Sequence, residues 1–201
     1  MITRDPPEGR SSLIDEVQAA IRGGAAVVQY RAKQGRASIE EARALLNLCR
    51  QAFVPLIVND DASLAQAIGA DGVHLGQDDA GLEAVRARMG SSAIIGVSCY
   101  DNVERAVEAS RQGASYVAFG RFFPSATKPL APCAQLETLR RARLKTRVPI
   151  VAIGGITVEN AAPLIAAGAD LLAVVEGVFG ALEPTQVAGQ FQRLWEPSTK
   201  S

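Results

Sequence analysis

The sequence predicts an α/β fold, a single (β/α)8 TIM barrel with a truncated first strand, and three observations carry that expectation. Short apolar runs alternate with amphipathic stretches along the whole chain. A Gly-Ala pair recurs at Gly24-Ala25, Gly69-Ala70, Gly113-Ala114 and Gly168-Ala169, at intervals of 45, 44 and 55 residues. Each interval accommodates two strand–helix units, so four quarters give eight strands. Finally, no Gly-x-Gly-x-x-Gly fingerprint follows the first full strand, which disfavours an open dinucleotide-binding sheet.

The first element is a stub at residues 1–3, far shorter than its partners. Apolar, β-rich runs follow at 25–30, 54–59, 72–75, 93–98, 116–120, 149–153 and 171–175. Their near-continuous apolar character marks a parallel sheet covered on both faces. Helical periodicity occupies 13–22, 38–52, 63–68, 82–89, 103–112, 135–144 and 158–167, and a last helix at 185–195 closes the chain. Each glycine of the repeated pair suits a helix C-terminus, where the backbone needs positive φ before it turns into the next strand.

With 201 residues and 48% hydrophobic content, one barrel domain spanning 1–201 can bury a substantial core. Formal net charge is zero, so neither nucleic acid nor an anionic membrane is an expected partner. The basic cluster at 140–147 alternates with apolar positions and reads as a solvated helix face. No charged-then-apolar leader opens the chain, and the longest apolar stretch, 161–182, is interrupted by Asp170 and Glu176. Cys49, Cys99 and Cys133 lack disulfide or metal-ligand spacing, so a cytoplasmic location is expected. The sequence allows a homo-oligomer without specifying one.

Chemistry is expected where the strands end. Gln29, Arg31 and Lys33 alternate, so an extended backbone puts them on one face. There the planar donor fork of arginine and the point charge of lysine suit phosphate oxygens. Asn59-Asp60-Asp61 and Gln77-Asp78-Asp79 end the next two strands and offer hard oxygen ligands for Mg2+. Asp61, with Asp78 as a second candidate, is expected to cap a helix, leaving Asp60 and Asp79 to the metal. Ser125-Ala126-Thr127-Lys128-Pro129 lies in a loop long enough to fold over a phosphate. Gly154-Gly155 and Glu176-Gly177 follow the last two strands, a usual phosphate site in this barrel, with a tight structural turn as the competing reading. A Glu176 carboxylate would repel a phosphate there unless it points away. The single histidine, His74, lies within a strand and is expected to be a packed, hydrogen-bonded barrel residue. Cys99 has no other histidine to serve as its base, which argues against covalent catalysis.

Taken jointly, these residues resemble the thiamine-phosphate synthase family. The matching pieces are Gln29/Arg31/Lys33, Asn59-Asp60, Gly76-Gln77-Asp78-Asp79, Gly96-Val97-Ser98, Thr127-Lys128 and Gly154-Gly155-Ile156. The resemblance runs from about Ile2 into the last helix. It implies a transferase of thiamine biosynthesis that joins hydroxymethylpyrimidine diphosphate to a thiazole phosphate, or its carboxylated form, and releases diphosphate. It further implies that Gln29, Tyr30, Arg31, Ala32, Lys33, Asn59, Ser98 and Lys128 bind the pyrimidine diphosphate, with Arg31, Lys33 and Lys128 assisting its departure. Asp60 and Asp79 would hold Mg2+. Ser125, Ala126, Thr127, Gly155, Val175 and Glu176 would receive the thiazole phosphate. The chain departs from the family pattern at Tyr100, Leu130 and Glu176 and in its short first strand. Two other readings compete: a sibling barrel acting as a thiazole tautomerase, and a catalytically silent regulatory barrel.

Overall fold

The computed structural model describes residues 1–4, 12–32, 37–76, 81–124 and 133–196. Strands and helices alternate as α1 (Leu13–Arg22), β1 (Val28–Tyr30), α2 (Ile39–Gln51), β2 (Leu56–Asn59), α3 (Ala62–Ile68), β3 (Gly72–Leu75), α4 (Leu82–Met89) and β4 (Ile94–Tyr100). They continue as α5 (Val103–Arg111), β5 (Tyr116–Gly120), α6 (Leu136–Lys145), β6 (Ile150–Ile153), α7 (Val158–Ala166), β7 (Leu171–Ala173), α8 (Glu176–Phe179) and α9 (Pro184–Arg193). All seven strands are parallel and lie in sequence order.

Residues 1–3 join the two edges of this sheet. On one side the Gln29 N–H donates to the Met1 carbonyl at 2.9 Å, and the Thr3 N–H donates to the Gln29 carbonyl at 2.9 Å. On the other the Ile2 N–H donates to the Val174 carbonyl at 3.0 Å, just beyond β7. The truncated first strand expected from the sequence is therefore the seam of a (β/α)8 barrel. The Thr3 hydroxyl also takes the Arg31 N–H at 2.8 Å, which fixes the exit of β1 against the seam.

The glycine echo has one structural meaning. Gly24, Gly69, Gly113 and Gly168 all adopt positive φ, from 72° to 108°. The alanine after each donates its N–H five residues back, to the carbonyls of Ala20, Ala65, Ala109 and Leu164. This six-to-one bond closes a helix C-terminus in the same way at four points around the barrel. At the opposite helix ends, Ser12, Ser38, Asp61 and Asn102 cap α1, α2, α3 and α5 through side-chain oxygens.

Along each strand, alternate residues face outward against the helices or inward toward the barrel axis. Val28, Leu56, Val58, Val73, Ile95, Val97, Val117, Phe119 and Ile150 pack outward with Leu45, Leu139 and Leu164 of the helices. Complete burial of one such leucine or isoleucine contributes about 1.5–3 kcal/mol. The inward set is mixed, because Gln29, His74, Ser98 and Tyr116 share it with Ala118 and Val151 around an internal cavity of about 320 Å³. Gly96 makes room for the Tyr116 ring: a Cβ at Gly96 would lie 2.0 Å from Tyr116 Cζ.

Departures from the sequence expectation lie mainly at strand ends: β1 begins at Val28 rather than residue 25, β2 at Leu56 rather than residue 54, and β7 ends at Ala173 rather than residue 175. β4 runs to Tyr100 rather than stopping at Ser98, and its register against β5 shifts between those residues. α8 was not expected at all, being four residues long and too short for a periodic signal.

Gly96→Ala is expected to cost about 1–3 kcal/mol by overpacking the barrel interior. Urea denaturation checks this, and an unchanged midpoint would show that the Tyr116 ring is not confined there.

Candidate functional site

In this barrel the carboxyl ends of the strands share one mouth, so residues that follow the strands converge whatever their distance in sequence. Arg31 follows β1, Asn59 ends β2 and Asp60 follows it, Ser98 lies near the end of β4, Gly155 follows β6, and Val175 and Glu176 follow β7. All seven therefore border the same opening. Lys33, Asp79, Ser125, Ala126, Thr127 and Lys128 lie outside the described residues, as do Gln77 and Asp78.

β2 presents its acid in an unusual way. Asp60 adopts the left-handed conformation with φ 63°, and its N–H donates to the His74 carbonyl at 2.8 Å. That bond ties the end of β2 to β3, while the exposed Asp60 carboxylate stands at the rim. Asp61 next to it accepts the Leu64 N–H at 2.8 Å and caps α3, as its sequence position predicts. One aspartate holds the helix and the other faces solvent at the strand junction. Among the described residues no three His, Cys, Asp or Glu side chains cluster as a ready-made metal cage. Asp60 still suits a hard cation that keeps several waters and needs few protein ligands.

Tyr30 and Ala32, expected near the anion, differ in environment. Tyr30 is buried behind β1, with its hydroxyl donating to Glu41 Oε1 at 2.8 Å and accepting the Ser38 N–H at 3.3 Å. Ala32 is half-buried beside Arg31. Gln29 lies below the rim, buried in the barrel interior.

The interior polar groups form a connected chain. His74 Nε2 lies 2.9 Å from Ser98 Oγ, and His74 Nδ1 lies 2.9 Å from the Tyr116 hydroxyl. The His74 and Tyr116 rings stack with centroids 5.6 Å apart. Burial pushes the Tyr116 phenol well above its ordinary range, and a side-chain hydrogen bond with Gln29 acts in the opposite direction. His74 is thus a hydrogen-bonded barrel residue, as expected for a lone histidine in a strand. Cys99 is fully buried, and burial pushes its thiol up to about 12, so it remains an inert thiol rather than a nucleophile. All three cysteines are free.

Gly154 and Gly155 accommodate a neighbouring loop. A Cβ at Gly154 would lie 2.2 Å from Arg121 Cβ, and one at Gly155 would lie 2.3 Å from the Pro124 carbonyl oxygen. The Phe123 N–H donates to the Gly154 carbonyl at 3.0 Å. The pair therefore lets the chain after β5 lie directly on the chain after β6.

Glu176 turns out to have a partner that its sequence position did not suggest. Its carboxylate meets Arg4 Nη1 at 2.7 Å, and Arg4 Nη2 lies 3.4 Å from the buried Glu16 carboxylate. The Arg4 guanidinium also bonds the Phe179 carbonyl and lies over the Phe179 ring. Arg4 thus fastens the chain after the seam to α8 and α1, and neutralises Glu176. Arg105 is a second residue that sequence reasoning missed. From α5 it donates to the Ser98 carbonyl at 2.8 Å and the Gly76 carbonyl at 3.0 Å, holding the exits of β4 and β3 together. Nothing distinguishes it in sequence from any other arginine on a solvated helix.

Comparison with known proteins identifies this arrangement. The family model described as thiamine monophosphate synthase matches residues 1–178. The chain belongs to this family of transferases. A thiamine-phosphate synthase of Methylococcus capsulatus is 52% identical over 99% of this chain and 89% of that protein. One from Aromatoleum aromaticum is 50% identical over 98% of this chain and 95% of that protein. Among solved structures, thiamine phosphate pyrophosphorylase from Pyrococcus furiosus superposes with a TM-score of 0.83 at 33% identity, covering 96% of this chain and 92% of that one. Orotidine 5'-phosphate decarboxylase from Pyrococcus horikoshii superposes with a TM-score of 0.70 at 15% identity, a likeness of fold alone.

Arg4→Ala is expected to cost about 3–5 kcal/mol, because it leaves the Glu16 carboxylate buried without its cation. Glu176→Ala should cost less than about 1 kcal/mol, since its side chain is 54% exposed. Equal losses for both variants in urea denaturation would contradict this division.

Proposed function

We propose that the chain condenses 4-amino-2-methyl-5-hydroxymethylpyrimidine diphosphate with a 4-methyl-5-(2-phosphoethyl)thiazole, releasing diphosphate and thiamine phosphate. Family membership supports the reaction, and the observation that carries the assignment of residues is the juxtaposition of Arg31, Asn59 and Asp60. These follow or end two hydrogen-bonded strands, with the Ser98 hydroxyl on the barrel interior.

Departure of diphosphate leaves a pyrimidinylmethyl cation, so the main demand is charge stabilisation on the leaving group. Arg31, Lys33 and Lys128 would supply cationic donors to its oxygens, with Asn59 as a neutral donor. Asp60 and Asp79 would hold Mg2+, which when bound neutralises diphosphate charge. Ser98 would orient the pyrimidine ring. Ser125, Ala126, Thr127 and the backbone of Gly155, Val175 and Glu176 would hold the thiazole phosphate, bringing the thiazole nitrogen onto the exocyclic carbon. Arg4 supports this last assignment, because it draws the Glu176 carboxylate into an ion pair while the Glu176 backbone remains at the barrel mouth. With both substrates held face to face, positioning supplies much of the remaining acceleration. No protein nucleophile takes part, in keeping with the buried, protonated Cys99.

No helix among the described residues is long and apolar enough to cross a membrane. The unpaired thiols support a cytoplasmic setting for the reaction.

Purified protein given both substrates is expected to release diphosphate only when Mg2+ is present. Asp60→Ala and Lys128→Ala should each lower turnover more than tenfold, the usual scale for losing a charge-stabilising group. Thermal melts should stay close to the parent's. Diphosphate release indifferent to chelation, or turnover unchanged in these folded variants, would overturn the assigned roles.

A further inference from the structure

A phosphate monoester carries nearly two negative charges at neutral pH. The groups assigned above to the thiazole phosphate are hydroxyls, backbone and the Glu176 residue, with no cation among them. Arg4 offsets the Glu176 carboxylate, which leaves the charge of the ligand itself without an opposing group. Charge balance calls for a cation on that side of the mouth.

Among the described residues, Arg4, Arg31 and Arg121 stand at strand exits, and Arg105 reaches in from α5. Arg4 is engaged by Glu16, Glu176 and the Phe179 carbonyl, and Arg105 by the Gly76 and Ser98 carbonyls. Arg31 follows β1, where the leaving diphosphate is placed. Arg121 follows β5, which is hydrogen-bonded to β6, and β6 in turn to β7. It therefore shares one side of the mouth with Gly155, Val175 and Glu176.

Two contacts bring Arg121 close to Gly155. A Cβ at Gly154 would lie 2.6 Å from Arg121 Cα, so the Arg121 backbone rests on the Gly-Gly turn. At the other end of the half-buried residue, Nη1 lies 3.4 Å from the Phe123 carbonyl oxygen. The carbon of that same carbonyl lies 2.9 Å from where a Gly155 Cβ would stand. One carbonyl group thus separates the guanidinium from Gly155.

We propose that Arg121 is the cation of the thiazole-phosphate end of the mouth, its guanidinium fork pairing with oxygens of a phosphate monoester seated against the Gly155 backbone. The identity of the ligand rests on the synthase reading above. Arg121 is then a specificity residue, favouring the phosphorylated thiazole over the same ring bearing a free hydroxyl. A purely structural Arg121 would only brace the chain after β5 through Phe123. The two roles differ in their response to ligand charge.

Calorimetric titration separates them. Arg121→Gln is expected to weaken binding of 4-methyl-5-(2-phosphoethyl)thiazole about tenfold or more, the scale of one lost charge-assisted hydrogen bond. Affinity for the dephosphorylated alcohol should stay within about twofold, and Arg121→Lys should recover part of the loss. Equal losses for phosphate and alcohol, or no loss for either, overturn the proposal. Should Arg121→Gln not fold, crystals of the parent protein grown with the thiazole phosphate decide the matter. Guanidinium nitrogens within hydrogen-bond distance of the phosphate support the proposal, and a phosphate seated with Arg121 turned away overturns it. Parent protein that prefers the phosphorylated thiazole yet releases no diphosphate from the pyrimidine substrate would sink the synthase reading while leaving the role of Arg121 standing.

Discussion

An open parallel sheet leaves a row of backbone N–H and C=O groups without ladder partners along each edge. In this chain residues 1–3 satisfy both edges at once, bonding to Gln29 on one side and Val174 on the other. The seam is short, so few bonds carry it, and side chains just beyond reinforce it. The Thr3 hydroxyl grips the Arg31 backbone, and Arg4 reaches Glu16, Glu176 and the Phe179 carbonyl. Arg31 and Glu176 stand on opposite sides of the seam. Their separation, and hence the spacing proposed between the diphosphate and the thiazole phosphate, depends on the seam remaining closed.

The same economy operates at the mouth. Bonds to backbone carbonyls lock neighbouring strand exits together. Asp60 gives its N–H to the His74 carbonyl, and Arg105 spans the Gly76 and Ser98 carbonyls. Gly154 and Gly155 permit a contact between two loops that any side chain would block. The interior beneath is unusually polar for a barrel core, and His74, Tyr116 and Ser98 are hydrogen-bonded to one another there. An unpaired buried hydroxyl or imidazole costs on the order of 1–3 kcal/mol, so the groups form a connected line rather than isolated insertions.

Much of this was legible in sequence because it rests on local patterns. The Gly-Ala pairs marked four helix ends, and the helices 13–22 and 82–89 and the strands 72–75 and 116–120 were bounded from periodicity alone. Asp61 declared itself as a cap by standing just ahead of a helical run, which in the structure starts at Ala62. What was not legible depends on contacts distant in sequence. Arg4 and Glu176 are 172 residues apart, and no local signal joins them. Gln29 stands in the same alternating triplet as Arg31, but the twist and depth of the barrel take it into the interior beside Tyr116. His74 was legible as a structural residue, whereas its bond to Ser98 required the register of β3 against β4. The resemblance to the synthase family supplied the ligand roles, which geometry alone does not name.

The central claim is that one mouth, bordered by Arg31, Asn59 and Asp60, holds a diphosphate together with its metal. Crystals grown with inorganic diphosphate and Mg2+ test it most directly. The expected density has diphosphate oxygens on the Arg31 guanidinium and the Asn59 amide, and a cation joining them to the Asp60 carboxylate. Diphosphate bound elsewhere on the barrel, or bound in the mouth with Asp60 turned away from the cation, would contradict the account.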